Sequence, residues 1–286
     1  MFNAVLQAKL PRLTTPLFTY RVRALDVARI GWQGGLILGL GAILGIGLGV
    51  FVAVARSTPS SDAYALSGQI GAWLFYPAVL LLLVSNTIYA ATALSTAQKL
   101  RARREEIDML RVTGLEEHEI IAAEFAAWQL RVWRFMAFEC AVRLALAAFI
   151  IADFLLPNQW RISSSGDTFV VVVFFVFATT YILEPLWRMR ALGSTAILWT
   201  VRSNNPLLAG MLTFLVGLGS HGIMIGVMFG YVTLYVIAAF SPDNLYSYLT
   251  FGTIPLVWLI PRFSHRWLTK LTLKAVANAL KRSEPA

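Results

Sequence analysis

Stretches of predominantly apolar sequence, each about the length of a bilayer crossing, recur along this chain at 34–55, 70–93, 135–156 and 169–186, within 207–240, and at 245–260. A helix needs roughly 20 such residues to cross the hydrocarbon core. Their repetition leaves no room for a large extramembrane domain. The sequence therefore predicts an all-α integral membrane protein with six transmembrane helices, a single transmembrane domain over 1–286. Composition agrees: 58% of residues are hydrophobic and 14% charged, against about 25% charged in a typical soluble domain. Mean hydropathy is +0.67.

The net charge of +9 raises nucleic acid as a partner, but position argues against it. Lys and Arg cluster beside the apolar stretches and form no extended basic face. Of the 24 Lys and Arg residues, 21 fall before the first span, in 98–134, in 188–202 or after 260. Arg56 and Arg161 fall on the other side, and Arg143 lies within a span. Positive charge collects on the cytoplasmic side of membrane proteins, so both termini are expected there, in the cell inner membrane. Trp32, Trp73, Trp160, Trp187 and Trp258 fall near span ends, as interfacial aromatics do.

Residues 1–30 alternate basic and apolar residues, which predicts an amphipathic helix lying on the inner leaflet. They contain no signal-type apolar core, so no cleavable leader is expected. The tail at 262–286 is basic and amphipathic. The stretch at 207–240 is too long for one simple crossing, and an interfacial or re-entrant piece is expected around Gly219 to Gly222. The last span is expected to end at Pro261.

Several features invite a catalytic reading and do not support it. The glycines between Gly34 and Gly49 lie within an apolar span, where a phosphate-binding loop would need a strand before it and a helix after it. Gly41, Gly45 and Gly49 recur every four residues, as do Gly222, Gly226 and Gly230. That spacing lets a second helix approach closely, from this chain or from a second subunit. His118, His221 and His265 are scattered, and Cys140 is the single cysteine, expected as a small buried hydrophobe. No catalytic or metal site is expected. Ionisable residues within spans are costly and face protein or a pathway. Glu139 with Arg143, and Glu184 with Arg188, are spaced i, i+4 and read as mutually paired or as part of a gate. Asn86 and Thr87 are candidates for hydrogen bonds between helices.

The long inner loop at 98–134 carries the most information. Arg101 with Glu105 and Arg104 with Asp108 have the i, i+4 spacing that supports a helix. Gly114 ends it. Thr113 and Glu116 have the spacing of a capping box for a second helix, whose first turns hold Glu116, Glu117 and Glu119, where negative charge suits the helix dipole. Ile121, Phe125, Trp128 and Val132 form an apolar stripe on it, with Glu117, Glu124 and Arg131 on another face. A structured connector continuous with two spans can transmit force.

The run Arg103-Arg104-Glu105-Glu106-Ile107-Asp108-Met109-Leu110-Arg111-Val112-Thr113-Gly114-Leu115, followed by Glu119-Ile120-Ile121, resembles the coupling-helix region of ABC-2 type transporter permeases. The layout is also similar to theirs: an amphipathic N-terminal helix, six spans, and a long loop after the second. The chain departs from the family at Ala122-Ala123-Glu124, where a Gly-Lys is usual. The resemblance implies an ATPase-coupling site at Thr113, Gly114, Leu115, Glu116, Glu117, His118, Glu119 and Ile120. It also implies an export permease that holds no cofactor itself, with ATP and Mg on a separate ABC ATPase subunit, and a second permease copy or paralogue beside it in the lipid bilayer. A membrane anchor that assembles a larger complex without transporting is the alternative from another class. A membrane-embedded enzyme is a third, and no catalytic constellation favours it.

Overall fold

The computed structural model describes residues 27–57, 62–102, 117–155, 165–203, 205–240 and 244–282. Among them the chain is helical except at Ser203 and Asn205, in six long helices: α1 (Val27–Ser57), α2 (Asp62–Ala102), α3 (Glu117–Leu155), α4 (Ser165–Arg202), α5 (Pro206–Phe240) and α6 (Asn244–Arg282). Most of the N-terminal segment, the turn Thr113 to Glu116 and the loops holding Trp160 and Arg161 lie outside the described residues.

Three helices carry stretches long and apolar enough to cross a membrane: Trp32–Ala55 in α1, Gly68–Lys99 in α2 and Pro206–Tyr231 in α5. The other three are of similar length but carry charges in their central turns: Glu139 and Arg143 in α3, Glu184 and Arg188 in α4, and Arg262 and Arg266 in α6.

Contacts fix the relative directions. Gly34 faces Trp133 and Ala137, Gly41 faces Ala141, and Gly45 faces Ala145, so α1 and α3 run parallel. Tyr89 meets Glu139 and Thr92 meets Trp128, so α2 runs antiparallel to α3. Trp187 packs on Trp258 and Ser194 accepts from Thr272, so α4 and α6 are parallel. α3 is the central helix. It packs against α1, α2, α4 and α6, and almost every side chain from Ile120 to Ala148 is buried or half-buried.

The main apolar core lies around the N-terminal half of α3. Ile121, Phe125, Trp128 and Trp133 of α3 meet Tyr89 and Ala93 of α2, Met189, Leu192 and Ile197 of α4, and Val276 of α6. This corrects the reading of 117–134 as a separate short helix. It is the start of the continuous α3, and Glu124 on the supposed polar face is buried. The apolar stripe of Ile121, Phe125, Trp128 and Val132 is buried and Arg131 is exposed, but Glu124 is buried because the helices around α3 cover that turn as well.

One further expectation is corrected, and one helix is longer than expected. α5 is unbroken through Gly219 to Gly222, with no re-entrant piece. Glycine in a helix interior costs about 1 kcal/mol, which tertiary packing readily offsets; Gly217 illustrates this, since an added Cβ there would meet Leu192 at 2.8 Å and Asn86 at 3.1 Å. α6 passes through Pro255 and Pro261 to Arg282, so the helix runs on beyond the residue at which the last span was expected to end. A helix can retain proline where other groups satisfy the freed carbonyls, and the tail beyond Pro261 is held by burial of His265, Thr272 and Val276. Trp187 is buried against Trp258.

The two glycine stripes differ. Gly41, Gly45 and Gly49 are buried, and a methyl group on Gly41 would lie 2.5 Å from the Ala141 carbonyl oxygen. This stripe lets the α1 and α3 backbones touch. Gly222, Gly226 and Gly230 are exposed with open space beyond them, so no described helix of this chain packs there. Gly226→Leu is accordingly expected to leave the melting temperature of the monomer in detergent unchanged or raised, since leucine is the better helix former. A fall would mean that α5 uses this face within the chain.

Candidate functional site

The i, i+4 spacing of Glu139 with Arg143 puts both on one face of α3, and Glu184 with Arg188 are likewise placed on α4. Because α3 and α4 are antiparallel neighbours, the two pairs meet and merge into one closed ring. Arg143 Nη2 donates to Glu139 at 2.9 Å and Nη1 to Glu184 at 2.8 Å. Arg188 Nη2 donates to Glu139, and its Nε lies 2.9 Å from Glu184. Each arginine thus bridges both carboxylates, and the formal charges cancel. All four side chains are at most 1% exposed.

Other helices complete the ring. From α2, the Tyr89 hydroxyl donates to Glu139 at 3.1 Å, and Ser85 Oγ accepts from Arg188 Nη1 at 3.0 Å. The Asn86 side-chain oxygen also accepts from Arg188. From α5, His221 Nδ1 lies 3.3 Å from Glu184. Pro185 has a local part in this. Proline lacks an N–H, so the carbonyl four residues earlier has no helical donor. That carbonyl belongs to Tyr181, and Arg143 Nη1 donates to it at 3.0 Å while stacking over the Tyr181 ring at 4.7 Å. The proline frees an acceptor where a buried guanidinium needs one.

A buried ion network of this kind contributes little net stability, because desolvation offsets much of the Coulomb gain. It does fix geometry: four helices are tied at one level, and no other register pairs every charge. The chemistry it offers is positional. Both carboxylates are enclosed by cations and donors, so neither is presented to a substrate as an acid or base. Among the described residues no group of three His, Cys, Asp or Glu side chains could hold a metal.

The other sequence candidates are dispersed. Ile120 is buried at the start of the core and Glu119 is half-buried beside it. Glu117 and His118 are helical residues of α3. Thr113, Gly114, Leu115 and Glu116 lie outside the described residues. Asn86 makes the expected bond between helices, whereas Thr87 bonds only to the Leu83 carbonyl of its own helix at 3.0 Å. Cys140 is buried, 3.5 Å from the Met136 sulfur. His221, Tyr89 and Ser85 were not foreseen as partners of the charged pairs. No local spacing could reveal them, since they stand 37 to 103 residues from the groups they touch.

Beyond the ring toward the C-terminal ends of α4 and α6, His265 is buried and its Nδ1 lies 2.5 Å from the Pro261 carbonyl oxygen. Burial holds this imidazole below its ordinary pKa. No family model matches the chain, and neither does any curated protein or solved structure. The family resemblance therefore stands on the loop residues and the layout alone.

Proposed function

We propose that this chain is the transmembrane permease subunit of an ATP-driven ABC-2 type transporter working as an exporter. It would lie in the inner membrane with six crossings and both termini in the cytoplasm. The observation that carries the reading is the burial of the N-terminal half of α3. This segment directly follows the coupling-like run at Thr113 to Ile120. It is enclosed by α2, α4 and α6 and continues without a break through the ring to Leu155. A push on the turn around Gly114 would therefore be passed to a rigid, packed stem and not dissipated in a loop.

The ring favours six crossings over three. Counted singly, Glu139, Arg143, Glu184 and Arg188 make α3 and α4 costly in a bilayer. Taken together they are neutral, hydrogen-bonded and hidden from lipid. They tie α2, α3, α4 and α5 at one level, so these helices would tilt as a unit when access alternates. The open Gly222, Gly226 and Gly230 face of α5 supports a neighbouring permease, an identical copy or a paralogue, as packing partner. ATP and Mg would be bound by a separate ATPase subunit, and this chain would do no catalysis.

The test is purification of the intact complex under mild conditions. A P-loop ATPase is expected to come with it. Gly114→Pro, or the charge reversal Glu117→Lys, is expected to leave ATP hydrolysis running while transport falls. An intact complex containing no ATPase would sink the reading and favour the anchor subunit.

A further inference from the structure

Parallel α4 and α6 leave an open groove of about 420 Å³ between them, lined by Phe175, Val176, Thr179, Ile254, Pro255 and Trp258. Its volume falls within the roughly 300–1,000 Å³ range of ligand clefts, and apart from the Thr179 hydroxyl its wall is apolar side chain. Both helices lead from the groove toward one basic end. On α6, Arg262 lies over the Trp258 ring at 4.2 Å, and Arg266 follows one turn later. On α4, Trp187 packs on Trp258, and Arg190 stands one turn beyond it.

That basic end is short of negative charge. Among the described residues no carboxylate pairs with Arg190, Arg262 or Arg266. Burial, and then the neighbouring positive charge of Arg266, both push the Arg190 guanidinium below its ordinary pKa. Its Nε is buried with no hydrogen-bond partner. Two cations held close, one with a buried unpaired donor, call for an anion.

We propose that this groove binds an anionic phospholipid, one acyl chain along the Thr179 and Trp258 walls and the phosphate between Arg190, Arg262 and Arg266. The depths agree. At 1.5 Å per residue, Trp258 lies about 6 Å from Arg262 along the helix, and Thr179 about 16 Å from Arg190. One leaflet of hydrocarbon is about 15 Å thick, so a lipid with its phosphate at the arginines lays its chain along the groove. Basic pockets between helices at a membrane surface recognise anionic head groups in this way. The inference rests on α4 and α6 lying in a bilayer, and it is independent of transport and of any ATPase.

The test uses the full chain purified in mild detergent and supplied with phosphatidylglycerol and phosphatidylcholine of matched chains, with retained lipid read by native mass spectrometry. Phosphatidylglycerol is expected to be retained over phosphatidylcholine by roughly tenfold. The pair R190Q and R262Q together should bring that ratio close to one while leaving the helical content intact. Filling the groove with Thr179→Phe, a substitution at an exposed position, should reduce retention of both lipids. Excess inorganic phosphate should not displace the bound lipid. Equal retention of the two lipids overturns the proposal. So does retention unchanged by either variant, displacement by phosphate alone, or a lipid-free dimer that Thr179→Phe dissolves.

Discussion

Glu139→Gln is expected to lower the stability of the detergent-solubilised protein by about 3–5 kcal/mol, the usual consequence of removing one partner from a buried ion pair. With Glu139 neutral, Arg143 and Arg188 share the single carboxylate of Glu184, and one positive charge is left without a counter-ion at a site closed to water. The Tyr89 hydroxyl loses its charged acceptor as well. The double variant Glu139→Gln with Arg143→Gln restores neutrality, leaving Glu184 paired with Arg188. It is expected to lose less than the sum of the two single losses by about 0.5–3 kcal/mol, the range seen for residues in one network. Melting curves of the three variants decide this. Strict additivity would mean that the four side chains do not act as a ring. Arg188→Lys should behave as a loss: one ammonium cannot reach Ser85, Asn86 and both glutamates at once, whereas a guanidinium presents five donors in a fixed fork.

The second large effect is expected at Gly45. A side chain there would run into the backbone of Ala145, and a helix backbone cannot yield as a flexible side chain can. Overpacking costs typically 1–3 kcal/mol, and Gly45→Leu should reach or exceed the top of that range. The effect spreads because α1 packs chiefly on α3 and only slightly on α2, while its opposite face, with Leu40, Ile43, Leu44 and Phe51, is exposed. Separation of α1 from α3 would therefore release the whole helix. Protease susceptibility near 58–61, together with melting temperature, reads this directly. A Gly45→Leu protein that melts like the parent would mean that α1 does not seat on α3 in solution.

The two glycine stripes show what spacing can and cannot convey. Both have the same four-residue repeat in apolar surroundings, and the repeat says only that close approach is permitted. Whether a helix arrives depends on neighbours distant in sequence. Gly41 and Gly45 meet alanines one hundred positions further on, while Gly222, Gly226 and Gly230 meet open space. The loop at 98–134 shows the converse. Its capping and turn signals are local, but they lie outside the described residues, which resume within α3 at Glu117. Its apolar stripe is buried as the spacing implied, whereas Glu124, placed on the other face, is buried too by neighbours distant in sequence.

The prolines make the same point. Pro261 ends a helix where nothing else satisfies the freed backbone, and a sequence does not show what will. Pro185 is the clearer case, since Arg143, 42 positions earlier in the chain, supplies the donor for the carbonyl that this proline exposes.

By itself, the sequence determined that this chain is built of long helices, several of them apolar enough for a membrane, because helix length and hydropathy are local and additive along the chain. It also determined which glutamate stands one turn from which arginine. Only the tertiary structure decided that two separate pairs are one ring of four, tied to α2 through Tyr89 and Ser85 and to α5 through His221. Spacing within a helix fixes which side chains share a face. Which two faces come together is set by packing among all the helices, where a buried charge is tolerated only if its partner arrives from elsewhere in the chain.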